Sequence, residues 1–375
     1  MLISYLSIGI VYVFVICFFG GKWGKISSKS RKIHLGQKVT ILVPFRNEKR
    51  NLPFIFDSIE RLDSEGIEII WIDDHSGDGS VLVIHELIHN IHSNNLHRII
   101  DSVGIGKKEA IECGVKAASY GIVLTTDADC ILPQNWIDQM LGPFADPQVQ
   151  FVAGAVMNRY CETFFERFQQ IEWASILMVT KISFDRQSPL MCSGANMGYR
   201  KSAFFEVNGY EGNRDVLSGD DEFLMKKIYR HYGADALVYL NNKEAMVLTE
   251  PMVSWKSLVS QRARWASKWK AHSIPHSVAS FTPVLIQLFW VSSFGLPLAF
   301  GFEGLMCCIA VWGLKILGEY YSLKKVTDFY SMDLRFVDFG ITSLLHPFYV
   351  LGVTLGILFG KISWKGRRAD ALVLR

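Results

Sequence analysis

The chain has 375 residues, room for one large domain or two smaller ones. Half of it is hydrophobic, with 25 Phe and 10 Trp, and its formal charge is +3. So mild a charge, with no long basic tract interleaved with aromatics, argues against nucleic acid as a partner. The seven cysteines show no CxxC spacing and no even framework, which fits free thiols in a reducing compartment or in a membrane.

The run Leu2 to Gly20 holds no charged residue and has roughly the 20 residues that a bilayer crossing needs. No basic residue precedes it and no small-x-small cleavage site follows it. Residues 1–21 therefore read as a transmembrane anchor rather than a cleaved signal peptide. Residues 22–37 form a basic linker (Lys22, Lys25, Lys29, Arg31, Lys32), with no acid before Glu48. By the positive-inside rule this places the next domain in the cytoplasm.

Residues 38–250 alternate strand and helix signals. "VTILVPF" (Val39 to Phe45), "IEIIWID" (Ile67 to Asp73) and "GIVLTT" (Gly121 to Thr126) are apolar, β-branched runs of strand length. Helix-like stretches at Ser80 to Ile91 and Lys107 to Ser119 lie between them. Such alternation implies an α/β fold with a mostly parallel sheet, whose ligands bind beyond the carboxyl ends of the strands. The short polar motifs fall there: "PFRNEKRNL", "DDHSGDGS" and "DADC".

Each motif has two readings. "DDHSGDGS" is an Asx-turn ahead of a helix, or a carboxylate pair accepting hydrogen bonds from a base or ribose. "GKKEAI" (Gly106 to Ile111) opens a helix, with Lys107 either solvated or offered to an anion. Strand alternation sends Asp127 and Asp129 to one face, where like charges repel unless a cation or proton sits between them. A solvated turn is the simpler alternative.

Further along, Thr163 to Ile182 has helical apolar spacing, suiting core or a surface-lying helix. "SGDDEFL" (Ser218 to Leu224) opens another helix, where Asp220 suits a cap or first-turn role. Residues 251–277 read as an interfacial helix. Within it, "QRARW" forms one turn, placing Gln261 and Arg264 three apart on one face with Trp265 beside them.

Residues 278–360 are the C-terminal membrane segments. Ser280 to Leu317 carries only Glu303 and Lys315 and suits a helical hairpin with Glu303 near its turn. Phe339 to Gly360 suits one more crossing, bent at His346-Pro347. Three crossings would put the basic tail, residues 361–375, outside. One segment is therefore expected to be re-entrant or interfacial, with the tail cytoplasmic.

Taken together, the motifs resemble the family 2 glycosyltransferases, inverting enzymes that use nucleotide-sugars. The resemblance rests on "ILVPFRNE" (Ile41 to Glu48), "IDDHSGDGS" (Ile72 to Ser80), "GKKEAI" and "TTDAD" (Thr125 to Asp129). It continues through "SGANMGYRKSAFFEVNGYEG" (Ser193 to Gly212), "SGDDEFL" and "QRARW". A lone DxD is weak; the ordered set, ending in D-D and QxxRW, is strong. The QxxRW motif is similar to that of the subset that builds polysaccharides at membranes or glycosylates membrane lipids. "WKGRR" (Trp364 to Arg368) looks like an element closing several lipid-glycosylating relatives.

The resemblance implies a glycosyltransferase A-type, Rossmann-like domain joined to transmembrane helices. It assigns Asp129 as direct ligand of Mg²⁺ or Mn²⁺, with Asp127 nearby and turned toward the donor. Asp74, beside Asp73, matches the contact to uracil and ribose, while Pro44, Arg46, Glu48 and Lys107 match further donor contacts. Asp221 matches the catalytic base. Gln261, Arg264 and Trp265 match the QxxRW group, with Arg264 suited to a diphosphate and Trp265 to an acceptor.

The expected activity is inverting, metal-dependent transfer of a sugar, from UDP by family habit, to a lipid or lipid-linked acceptor. The expected location is a multi-pass membrane protein with its catalytic domain in the cytoplasm. A processive polysaccharide synthase is the alternative, although it usually needs more membrane helices. A non-catalytic scaffold or transporter subunit is the remote one.

Overall fold

The computed structural model describes residues 1–23, 38–63, 66–214, 216, 218–267, 274–359, 363–364 and 367–368. Most of the basic linker and of the C-terminal tail read from sequence lie outside the described residues, as do residues 268–273 of the expected interfacial segment.

In chain order the first half comprises α1 (Leu2–Lys22), β1 (Thr40–Phe45), α2 (Leu52–Glu60), β2 (Glu68–Asp73), α3 (Ser80–Asn90), β3 (Leu96–Asp101), α4 (Lys107–Ala117), β4 (Ile122–Thr125), β5 (Cys130–Ile131) and α5 (Trp136–Leu141). There follow β6 (Phe151–Gly154), β7 (Val156–Asn158), α6 (Phe164–Asp185), β8 (Met197–Arg200), α7 (Lys201–Glu206), α8 (Asp220–Tyr232), β9 (Leu237–Leu240) and β10 (Val247–Thr249). The remainder is α9 (Trp255–Ala266), α10 (Ile274–Ser292), α11 (Leu296–Phe329), α12 (Phe336–Phe359) and a short ribbon, β11 (Ser363–Trp364) with β12 (Arg367–Arg368). The chain forms two compact units: Ile26–Arg159 with Val179–Glu250, and Met1–Lys25 with Tyr160–Met178 and Pro251–Arg375.

The first of these units is built on a seven-stranded sheet, ordered β3-β2-β1-β4-β8-β6-β9. Four neighbouring strands, β3, β2, β1 and β4, run parallel, and β8 enters antiparallel between β4 and β6. β1 and β2 are buried along their whole length, as apolar runs covered on both faces require. Helix α4 lies close to them: a Cβ on Gly114 would come within 2.6 Å of Ile72 Cδ1. The core gathers Leu42, Ile70, Ile72, Val115, Phe151, Met197 and Tyr199. At the other end of β2, the buried Glu68 carboxylate accepts from Thr40 Oγ1, Ser119 N, Ser119 Oγ and Arg98 Nη1, all within 2.8 Å. Burial alone would raise its pKa, but these donors lower it below the ordinary 4.5.

Parallel pairing brings Phe45, Asp73 and Asp101 into register at one edge of the sheet. All the N-terminal motifs leave from this edge. Helices α3, α4 and α8 each follow a glycine at positive φ: Gly79 (86°), Gly106 (107°) and Gly219 (87°). Glycine reaches that region without a steric penalty, so the chain turns sharply from loop into helix.

Among the described residues, the second unit holds three segments long and apolar enough to cross a membrane: Leu2–Lys22, Thr282–Phe329 and Phe336–Phe359. The middle one folds back on itself. Trp312 Nε1 donates to Ser293 Oγ at 2.9 Å across 19 residues, which a straight helix would hold about 28 Å apart. The chain turns between α10 and α11, and Gly301 (φ 54°) lies just before Glu303. Small residues let α1 and α11 approach closely; a Cβ on Gly20 would come within 2.7 Å of Ser322. Between them, Tyr12 Oη donates to Glu319 at 2.5 Å, and Glu319 also pairs with Lys315 at 2.7 Å. Helix α12 continues through Pro347.

Candidate active site

The DxD motif lies just past the end of β4. Strand alternation does not orient it, contrary to the sequence expectation: β4 ends at Thr125, and residues 127–130 form a turn closed by Cys130 N donating to Asp127 O at 3.2 Å. Burial first, then the charges of Asp129 and Asp127, push the Cys130 thiol well above its ordinary pKa. Asp129 also accepts from Cys130 Sγ at 3.7 Å.

Lys107, the first residue of α4, lies between this turn and the start of α8. Its ammonium is 2.6 Å from Asp127 Oδ1 and 3.1 Å from Asp220 Oδ2. Burial would lower the Lys107 pKa, but Asp127, Asp220 and Asp221 together raise it overall. The lysine stays charged and offsets carboxylates that would otherwise repel one another. Asp220 is thus not a cap. Gly219 holds that position, and Asp220 is the first helical residue, ion-paired to Lys107.

Asp221 is oriented by two backbone donors, Gly194 N at 3.1 Å and Glu222 N at 2.7 Å. The Gly194 carbonyl in turn accepts from Thr125 Oγ1 at 3.0 Å. One residue therefore ties the strand before the DxD to the acidic pair at α8. A Cβ there would meet Asp220 Oδ2 at 2.7 Å and Lys107 Nζ at 3.1 Å, so any larger residue has to displace those side chains. Two residues on, buried Asn196 fixes the same loop. Its Oδ1 accepts from Trp136 Nε1, and its Nδ2 donates to the carbonyls of Ala155 and Ala245.

The motifs that follow β1 and β2 form a second connected group. Asp74 accepts from Gly106 N at 2.9 Å, joining the end of β2 to the start of α4. Arg46 Nη1 donates to the carbonyls of Asp74 and His75 at 2.6 and 2.8 Å. Asp73 accepts from Ser76 N, three residues on, with both oxygens. Glu48 accepts from Asn51 Nδ2 at 2.7 Å, and its backbone N–H donates to Ser80 Oγ. Pro44 lies inside β1, in register with Ile72. Lys108 reaches away from Lys107 to the carbonyls of Asn213 and Val216, holding the loop that leads to α8.

The QxxRW residues belong to the other unit, on α9, which starts in a capping box built by Ser254 and Ser257. Its buried stripe is Leu258, Arg262 and Ala263. Arg262 forks onto Glu172 of α6, Nε to Oε1 at 3.0 Å and Nη2 to Oε2 at 2.8 Å. Its third donor, Nη1, goes to Gln261 Oε1. Tyr349 Oη of α12 donates to the same Glu172 at 2.7 Å. Burial would lower the Arg262 pKa, but Glu172 and then Tyr349 raise it. The Trp265 ring centroid lies 4.2 Å from the Arg262 guanidinium and 5.6 Å from the Trp173 ring.

With this geometry in view, comparison with known proteins is direct. Residues 40–207 match the model of Glycosyl transferase family 2. The chain carries a family 2 glycosyltransferase domain. A poly-beta-1,6-N-acetyl-D-glucosamine synthase of Staphylococcus aureus strain COL is 28% identical over 270 residues, 68% of this chain and 62% of that protein. The same-named protein of Staphylococcus epidermidis is 29% identical over 185 residues, 48% of this chain and 43% of that one. The chain thus aligns with less than two thirds of the length of those relatives. A mannosyltransferase from Pyrobaculum calidifontis, solved with GDP-Man and Mn²⁺, shares the fold at TM-score 0.60 and 14% identity, over 96% of this chain and 98% of that one. The sheet is that of the glycosyltransferase A-type fold, as the motifs implied.

Sequence reasoning passed over Gly194, Lys108 and Arg262. Arg262 had a usable signal, since it stands four residues after Leu258 on the buried face of α9. Gly194 and Lys108 had none, because their partners lie far away in the chain.

Proposed function

We propose that the protein transfers a sugar, with inversion, from a nucleoside-diphosphate donor to a lipid or lipid-linked acceptor at the membrane. The observation that carries this reading is the cluster at the carboxyl edge of the sheet. There Lys107 joins Asp127 to Asp220, and Gly194 ties Asp221 to the same strand end. The three segments long and apolar enough to span a bilayer support a membrane acceptor.

Asp221 takes the acceptor hydroxyl proton as general base while the oxygen attacks the anomeric carbon. Its two backbone donors hold the carboxylate in one orientation. Lys107 neutralises negative charge on the donor diphosphate. Asp74 and Asp73 receive hydrogen bonds from the nucleoside, with Pro44, Arg46 and Glu48 shaping that side. Asp129, with Asp127, suits Mg²⁺ or Mn²⁺. One or two hard carboxylates completed by substrate phosphates match how these ions are bound. Such an ion, when bound, stabilises charge on the leaving diphosphate. Gln261, Arg264 and Trp265 serve the acceptor and diphosphate side.

The test uses purified protein in lipid nanodiscs, offered UDP- and GDP-sugars with lipid extract and analysed by mass spectrometry. Transfer should require Mg²⁺ or Mn²⁺, and Asp221→Asn should abolish it while retaining donor binding. Full turnover in excess chelator, or loss of donor binding in Asp221→Asn, would contradict these assignments. A second reading, polysaccharide synthesis, is favoured by the named activity of the staphylococcal relatives. Long polymer from the purified protein would select it over single transfer.

A further inference from the structure

The residue between Gln261 and Ala263 is a variable position in the QxxRW pattern, yet its side chain is closely held. Arg262 is buried, and three of its nitrogens are engaged: Nε and Nη2 by Glu172, and Nη1 by Gln261. Its flat face lies over Trp265. Glu172 is held in turn by Tyr349. One carboxylate therefore gathers α6, α9 and α12 at a single point, beside an apolar cluster of Phe168, Leu258, Ala263, Tyr349 and Val353.

Chemistry then decides how the Gln261 amide points. A guanidinium has only donors, so the atom facing Arg262 has to be the amide oxygen. That leaves the amide nitrogen as the end that can donate to a substrate oxygen. The same guanidinium sets the plane of the Trp265 ring by stacking.

We infer that Arg262, braced by Glu172 and Tyr349, is a positioning residue for the transfer reaction, holding Gln261 with its amide nitrogen presented and Trp265 in one plane. The inference rests on the role given above to the QxxRW helix. A lysine at this position keeps the charge and the attraction to Glu172. It loses the planar fork that engages three atoms at once, and it loses the stacked face.

The experiment uses full-length protein in nanodiscs and the sugar donor that the wild type turns over. Arg262→Lys should keep a melting temperature close to the wild type while kcat falls ~10²-fold, the scale of a misplaced contact group. Gln261→Ala should cost a similar factor alone and little more when added to Arg262→Lys, since residues acting through one another are not additive. Tyr349→Phe, which removes one donor from Glu172, should give an intermediate loss. A wild-type kcat in Arg262→Lys, or additive losses in the double variant, overturns the inference.

A readout free of turnover separates this from failure of the proposed reaction. The emission of Trp265 is isolated by subtracting the Trp265→Phe counterpart of each variant. It should shift to the red in Arg262→Lys as the ring loses its cover. Unchanged emission overturns the inference even for a wild type that transfers no sugar. No transfer by the wild type, with the red shift present, overturns the proposed reaction and leaves the positioning geometry standing.

Discussion

Replacing Gly194 by alanine adds one methyl group where Lys107, Asp220 and Asp221 meet. The φ angle of Gly194 lies outside the positive region, so the backbone accepts alanine without strain. The methyl carbon would sit 2.7 Å from Asp220 Oδ2 and 3.1 Å from Lys107 Nζ. Both are closer than ordinary van der Waals contact, so the carboxylate and ammonium have to move. Asp220 is buried at the first position of α8 and has little room to do so. Overpacking of this kind costs about 1–3 kcal/mol of stability. The larger effect falls on activity, because displacement of about 1 Å near reacting groups lowers rate by ~10²-fold.

The Gly194 N–H survives the change, so Asp221 keeps its donor and the loss runs through Lys107 and Asp220. Initial rates of sugar transfer, donor binding and melting temperature, measured on one preparation, separate these contributions. Removing the obstructing carboxylate provides the control. In an Asp220→Ala background, Gly194→Ala should cost almost nothing further. A Gly194→Ala enzyme within twofold of wild-type kcat, or an undiminished cost in the Asp220→Ala background, would refute this reasoning.

Asn196→Ala leaves Trp136 Nε1 and the Ala245 carbonyl without their buried partner, while the Ala155 carbonyl keeps its bond from Val247 N. At about 1–3 kcal/mol per unsatisfied group, denaturant titration should show a loss of several kcal/mol, while Asn196→Asp should lose the two donations and keep the acceptor. Glu68 links stability to acidity. Its folded pKa lies below 4.5, so its contribution is present above about pH 4.5 and is lost as pH falls through the folded value. Glu68→Gln should therefore be less stable than wild type at neutral pH, with the gap closing in acid; parallel curves across that range would show that the carboxylate is not the source.

Much was legible in the sequence because it is written locally. Buried parallel strands declare themselves as β-branched apolar runs, and the expected boundaries at Val39–Phe45, Ile67–Asp73 and Gly121–Thr126 differ from the strands by one residue at most. The helices after Gly79, Gly106 and Gly219 were likewise readable, since a glycine before a helical pattern marks a turn that other residues resist. Membrane-length apolar runs need only composition and length.

Tertiary structure alone decided the rest, because the partners are distant in the chain. The salt link from Lys107 to Asp220 depends on β8 inserting antiparallel beside β4, which brings the Gly194 loop under the start of α8. The DxD residues lie in a turn rather than on the strand, since β4 stops at Thr125. Arg262 reads as one more charge on an interfacial helix until Glu172 and Tyr349 stand beside it. Local pattern specifies which face a residue occupies. Which carboxylate an ammonium or guanidinium meets is set by topology, and only the folded chain supplies that.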